Sequence, residues 1–243
     1  MAESIKSKVD ASIQILERRF GRYKLPAFLP PPSSADASAA LSVASKNCEL
    51  IVGSVLGLHG PPQAGFDAAR KLMAQFVDWN EVRVSNPALL TKVLGRDVRA
   101  AERLALLQRF LEAFFLRQRN LNLECLVPMK PNERRQFLSD LEIFNREELA
   151  AVVLSCFGFP VYPPAGELLR VALRLGLLRS KATALQMAKE FESKLEAEAL
   201  LNLYAHLSAV AFHFCHAERP QCALCPLKLR CPAARAFAKA AKK

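Results

Sequence analysis

No apolar run in this chain approaches the roughly 20 residues a helix needs to cross a bilayer; the longest are short and broken by charge. No membrane partner is expected. The opening MAESIKSKVDASIQ has early acids and no apolar stretch of the secretory kind, so no signal peptide is expected either. Asn-Gly and Asp-Gly, the dipeptides of tight hairpins, do not occur, and strict apolar–polar alternation is rare, which argues against a sheet. Internal repeats are absent. With 51% of its 243 residues apolar, the chain can bury a core without a disulfide framework. The expectation from these absences is a soluble, intracellular, helical protein.

What is present is helical periodicity. Ile5, Val9, Ile13, Leu16 and Phe20 form one apolar stripe. Residues 24–40 are Pro- and Ser-rich and read as a connector, non-helical through the prolines at 30–32. SNPALLTKVLG carries a start signal at Asn86–Pro87 and a stop at Gly95. Two short helices are expected to meet near residues 140–145, and another helix is expected to begin at Ser180. The last long stripe, Leu200, Leu203, Leu207, Val210 and Phe214, delivers Cys215 at its end.

Lys and Arg outnumber Asp and Glu by 34 to 23, a net charge of +11. Such an excess suits a partner of nucleic acid or of an anionic surface.

Of the cysteines, Cys48, Cys125 and Cys156 stand singly in apolar settings and read as buried thiols. Cys215, Cys222, Cys225 and Cys231 crowd into CHAERPQCALCPLKLRC with spacing Cys-x6-Cys-x2-Cys-x5-Cys. At one end of a long helical chain without a secretion signal, they read as metal ligands rather than disulfides. Thiolates accept both zinc and an iron–sulfur cubane, so chemistry alone leaves the metal open.

That spacing, with Ala217, Pro220 and the Cys-Pro-Leu at 225–227, resembles the cluster loop of the endonuclease III superfamily of helix-hairpin-helix DNA glycosylases. The resemblance extends from about Asn47 to Cys231. CELIVGSVLGLHG and GFDAARKLMAQF are similar to the opening pair of barrel helices, and Arg170, Val171, Arg174, Leu175 and Gly176 match an Arg-Val-x-x-Arg-Leu-Gly pattern. It implies an all-α fold of two helical lobes, a six-helix barrel and a cluster lobe made from both termini, with DNA in the cleft between them. The expected boundaries are 1–45 for the N-terminal helix and connector, 46–160 for the barrel with a degenerate hairpin, 161–231 for the cluster lobe, and 232–243 for a frayed basic tail. It implies a [4Fe–4S] cluster on Cys215, Cys222, Cys225 and Cys231, a DNA-repair role, and a cytoplasmic, nucleoid-associated monomer. Arg219, Lys228, Arg230 and Arg170 become candidates for DNA contact.

Departures from the pattern bear on chemistry. Where the superfamily's hairpin reads Gly-Val-Gly, this chain has Ile143, Phe144 and Asn145, and its lysine nucleophile falls on Glu147 or Glu148. A glutamate cannot form a Schiff base with the sugar. No lysine stands between positions 130 and 181, and the aspartate position is Ala165. The expectation is therefore a DNA-binding protein without lysine–aspartate chemistry. Two alternatives stand beside it: an active glycosylase or nuclease using Glu147, Glu148 or Glu167, and a four-cysteine metal-bearing interaction module with no nucleic-acid role. FVDWNEVRVSNP is unlike the superfamily, and its Trp79, Asn80 and Arg83 could stack on a base or read its edges. The histidines, His59 among them, fit no triad or metal spacing.

Overall fold

A computed structural model describes residues 4–24, 37–95, 99–121 and 123–240. Among them every regular element is helical, as the composition and periodicity anticipate. No described helix is long and apolar enough to cross a membrane. The chain divides into two compact units: Pro26–Leu58 with Pro62–Phe159, and Met1–Leu25 with His59–Pro61 and Pro160–Lys243.

The mid-chain unit contains α2 (Ala37–Leu56), α3 (Pro62–Met73), α4 (Trp79–Val84), α5 (Pro87–Leu94), α6 (Ala100–Gln118), a 3₁₀ turn (Leu123–Leu126), α7 (Pro131–Ser139) and α8 (Arg146–Phe157). Most of the connector expected at 24–40 lies outside the described residues, but the chain is already helical at Ala37. Helix α8 buries seven consecutive residues, Ala150 to Cys156, so it is enclosed on every side rather than amphipathic. It packs on α2, whose Ile51, Val52, Val55 and Leu56 are buried, and α2 also packs on α3 and α6. Helix α5 starts and stops as its signals predict, with Asn86 capping and Gly95 at φ 85°.

Packing of α2 on α3 is backbone against backbone. A methyl group at Gly65 would stand 2.1 Å from the Gly53 carbonyl oxygen and 2.2 Å from the Gly57 nitrogen. Only hydrogen fits there. The Phe66 ring fills the space a side chain at Gly53 would need.

The other unit holds α1 (Ile5–Phe20), α9 (Gly166–Arg174), α10 (Ala184–Glu192), α11 (Ala197–His213) and α12 (Pro232–Ala240). Helix α11 is its axis, buried without interruption from Leu200 to Ala211, and both α1 and α9 pack on it. Val9, Ile13 and Leu16 of the α1 stripe are buried. Helix α10 begins at Ala184, not Ser180: Thr183 Oγ1 accepts from Gln186 N, and the Gln186 side chain accepts from Thr183 N, which fixes the start. The tail does not fray where described. Pro232–Ala240 is helical because Ala234 is buried and Phe237 lies under the Arg174 guanidinium. Lys242 and Lys243 lie outside the described residues.

His206 ties α11 to the end of α1. The ring is fully buried, with Nδ1 2.7 Å from the Asn202 carbonyl oxygen and Nε2 3.0 Å from that of Gly21. Burial lowers its pKa, against an opposing pull from those two carbonyls and from Glu17.

This packing bears on stability in two measurable ways. Gly65→Ala should cost at least about 3 kcal/mol, because neither backbone can retreat, whereas Gly166→Ala, with open space around it, should change stability by no more than about 1 kcal/mol; urea unfolding checks both. The unfolded chain protonates its histidines near pH 6.5, above the lowered folded value of His206. Stability tied to neutral His206 is thus complete above that pH and lost as pH falls through it. Urea midpoints should fall on the acid side, and His206→Gln should flatten that slope; an unchanged slope would place the titration elsewhere.

Candidate metal centre and its surroundings

Helix α11 ends at His213, and Phe214 turns out of the helix at φ −133°, while Cys215 N still reaches back to the Val210 oxygen at 2.7 Å. Gln221 N donates to the Phe214 carbonyl at 2.7 Å and closes the first lobe of the loop. Successive tight turns follow, Cys225 N to Cys222 O, Lys228 N to Cys225 O and Cys231 N to Leu227 O, with Leu227 buried beneath them. The result is one pocket lined by the four sulfur-bearing side chains together with Val171, Arg174, Phe214 and Phe237. It holds about 370 Å³ of atom-free space, part of it open to solvent.

Two arginines of α9 hold this loop. Arg170 Nε donates to the Cys215 carbonyl at 2.9 Å. Arg174 forks across three residues, to Cys215 Sγ at 3.3 Å, the His216 carbonyl at 2.7 Å and the Ala217 carbonyl at 2.8 Å. The Cys231 thiol in turn points at the Arg174 carbonyl at 3.2 Å. A planar guanidinium suits such a fork where a lysine would not. Arg170, a candidate for DNA contact by its sequence position, is thus turned at least partly inward.

Burial raises the pKa of Cys222 and Cys225, and the neighbouring cysteines push both further up. The isolated cysteines differ in having no cysteine neighbours: Cys48 and Cys156 are buried, and loss of solvation raises both thiols, Cys156 to about 12, while Cys125 is half-buried.

Arg219, Lys228 and Arg230 are exposed on the loop, with Lys228 Nζ also donating to the Ala223 carbonyl at 3.1 Å. Beside them Leu224 and Leu229 are 71% and 77% exposed. Sequence reasoning passed over these leucines, because their spacing repeats no helical stripe.

The remaining candidates fall as follows. Trp79 is 7% exposed and packs in the core of the mid-chain unit, so no indole face is offered to a base. Asn80 Oδ1 accepts from Arg83 Nε and Nη2, and Arg83 pairs with Glu112 and lies 4.2 Å over the Phe115 ring. This trio fastens α4 to α6. Glu148 belongs to a capping box: its carboxylate accepts from Asn145 N at 2.8 Å, and Asn145 Oδ1 accepts from Glu148 N at 2.9 Å. Glu147 sits in the same first turn of α8. Just ahead of Ile143–Asn145, Glu142 takes the left-handed φ of 55°, and Phe144 packs on Phe110. Ala165 stands at the N-cap of α9 and makes no side-chain cap. Glu167, two residues on, places Oε1 3.4 Å from Nδ1 of His59, a residue that sequence spacing had left without a role.

No protein-family model matches the chain. A curated relative, endonuclease III of Sulfolobus acidocaldarius, is 28% identical over 112 residues, covering 46% of this chain and 48% of the relative. The match thus spans about half of that protein. Among solved structures, a trapped covalent endonuclease III–DNA intermediate has a TM-score of 0.58 at 17% identity over 98% of this chain and 100% of its own. A non-covalent endonuclease III–DNA complex gives 0.59 at 17% identity with the same coverage. A thermostable thymine-DNA glycosylase gives 0.54 at 12% identity over 96% and 100%. The chain has the all-α fold of the endonuclease III superfamily.

Helix α12 supplies Ala233, Ala234 and Phe237 to the cysteine pocket. Phe237→Ala should therefore speed alkylation of Cys215, Cys222, Cys225 and Cys231 several-fold in metal-depleted protein, as followed by peptide mass mapping. Cys48 and Cys156 should stay unreactive as internal controls. Equal rates in variant and parent would show that α12 does not shield the sulfurs.

Proposed function

We propose that this chain is a DNA-binding iron–sulfur protein of the DNA-repair type that works without the lysine–aspartate chemistry of the superfamily. The observation that carries this reading is the convergence of Cys215, Cys222, Cys225 and Cys231 on one pocket, within a fold whose solved neighbours include endonuclease III bound to DNA.

Four cysteine side chains on one pocket could hold either a zinc ion or a cubane. The resemblance of the Cys-x6-Cys-x2-Cys-x5-Cys spacing to the superfamily's cluster loop is what favours the cubane. When bound, such a cluster supplies a rigid cross-link with the capacity for one-electron chemistry. This chain's own groups do the rest. Arg174 donates to a ligand sulfur and fixes two carbonyls of the loop. Arg219, Lys228 and Arg230 then stand on a stiff surface where cations at set spacing meet phosphates.

The loss of lysine–aspartate chemistry is read from Ala165 and from the glutamates at 147 and 148. The same charge balance, +11 overall, supports a cytoplasmic, nucleoid-associated role.

Anaerobic purification followed by iron, sulfide and zinc analysis tests the cluster, and gel retardation of duplexes at two salt concentrations tests the binding. Brown protein with equal iron and sulfide is expected, with retardation that weakens steeply with salt. Combining Arg219→Ala, Lys228→Ala and Arg230→Ala should lower affinity about tenfold or more and reduce the salt slope by up to about 3. Colourless zinc protein would overturn the cluster; salt-insensitive or absent retardation would overturn the partner.

A further inference from the structure

Where the ends of α1 and α11 meet, a run of aromatic rings passes from core to solvent. His206 and His213 stand about two helical turns apart on α11 and so share one face. The Phe20 ring centroid lies 6.4 Å from the first and 6.2 Å from the second. His206 is fully buried, whereas His213 is exposed. Phe20 and His213 are stacked, 16° from parallel. Phe212 stands across the His213 ring at 89° and 5.0 Å, with 41% of its surface open to water. Unpaired positive charge lies beside these rings. Arg18 and Arg19, exposed in the last turn of α1, enter no ion pair among the described residues, and Arg19 is close enough to His213 for its charge to act there. Glu17, the acid nearest to them in sequence, is within ion-pair reach of Arg22 instead.

An exposed aromatic ring beside an unpaired cation complements a nucleotide, which offers a flat base and an anionic phosphate. We propose that Phe212 and His213, with Arg19, form a stacking platform for unpaired nucleotides of a DNA strand. The proposal rests on the DNA-binding reading above, which names the strand, and it assigns contact residues outside the cysteine loop. In a duplex each base face is covered by its neighbours, so a side-chain ring can stack only on a base that has left the helix or stands at an end. The phenyl ring of Phe212 has no hydrogen-bonding atom, so it accepts any base alike and reads no sequence. His213 fixes the Phe212 ring from the side, and Phe20 in turn supports His213 by stacking. A platform ordered in advance loses little freedom when a base arrives. The α1 dipole favours cations in its last turn, which accounts for Arg18 and Arg19 but not for the exposed rings next to them. A partner that used Phe212 for apolar bulk alone would accept any side chain of similar size, whereas a base requires the flat ring.

The test uses the anaerobically purified full chain with three labelled probes: a thymidine oligomer, a duplex of the same length, and a duplex whose single-stranded overhang carries 2-aminopurine. Fluorescence anisotropy at two salt concentrations reads affinity, quenching of 2-aminopurine reads stacking, and thermal unfolding reads the fold. Wild-type protein should bind the oligomer and quench the overhang. Phe212→Leu keeps apolar bulk but removes the ring, so affinity for the oligomer should fall about tenfold and the quenching should disappear. Duplex affinity and unfolding should stay unchanged, and Phe212→Trp should retain both binding and quenching. Arg19→Gln should weaken oligomer binding and lower its salt slope by up to about 0.7. Oligomer binding and quenching that survive Phe212→Leu would overturn the platform, because bulk alone would then serve. Equal losses on oligomer and duplex would overturn its preference for unpaired bases. Duplex binding without oligomer binding would overturn the platform and leave the DNA-binding reading standing, while failure to bind either probe would overturn both.

Discussion

The grip of the two α9 arginines on the cysteine loop is the interaction on which the cysteine-bearing unit depends. Burial first, and the neighbouring sulfurs after it, raise the proton affinity of Cys222 and Cys225. Arg174 opposes that rise at Cys222. From the wall of the pocket, Arg174 donates to one sulfur and occupies two loop carbonyls. Helix α9 in turn packs on the fully buried α11, and α11 delivers the first cysteine. Loop, arginines and helix axis form one mechanical circuit.

A different constraint governs the mid-chain unit. There, Gly53, Gly57 and Gly65 let two helix backbones touch, and the buried α8 fills the space beside α2. No charge is involved. Shape alone sets it, which is why a single added methyl group at Gly65 meets atoms that have nowhere to go.

Much of this was legible in the sequence, for identifiable reasons. Stripes such as Val9, Ile13 and Leu16 record burial directly, and the Asn86-Pro87 start and Gly95 stop of α5 are local backbone chemistry. That the four cysteines gather in one place was legible from their crowding into seventeen residues, and all four line one pocket. The reading failed where side-chain geometry decides. Thr183 rather than Ser180 starts α10, since the reciprocal bonds with Gln186 need that three-residue interval. Trp79 and Arg83 looked like a reading head, but α6 offers Glu112 and Phe115 to Arg83, and the core takes the indole. His59 and Glu167 could not be paired from spacing at all, because 108 residues of intervening fold bring them together.

The start of α8 shows how stability and function compete for the same atoms. Unsatisfied N–H groups at a helix start can bind a phosphate or be satisfied from within, but not both at once. Here Asn145 accepts from the Glu148 N–H, and the Glu148 carboxylate returns to the Asn145 N–H. Glu147 adds a second negative charge in the same turn, which the helix dipole favours and a phosphate does not. Ahead of it, Phe144 packs against Phe110. The start of α8 is a well-capped helix junction. Under the DNA-binding proposal, a grip on the nucleic-acid backbone would come from cations elsewhere, and Arg219, Lys228 and Arg230 are exposed on a loop that Arg170 and Arg174 brace.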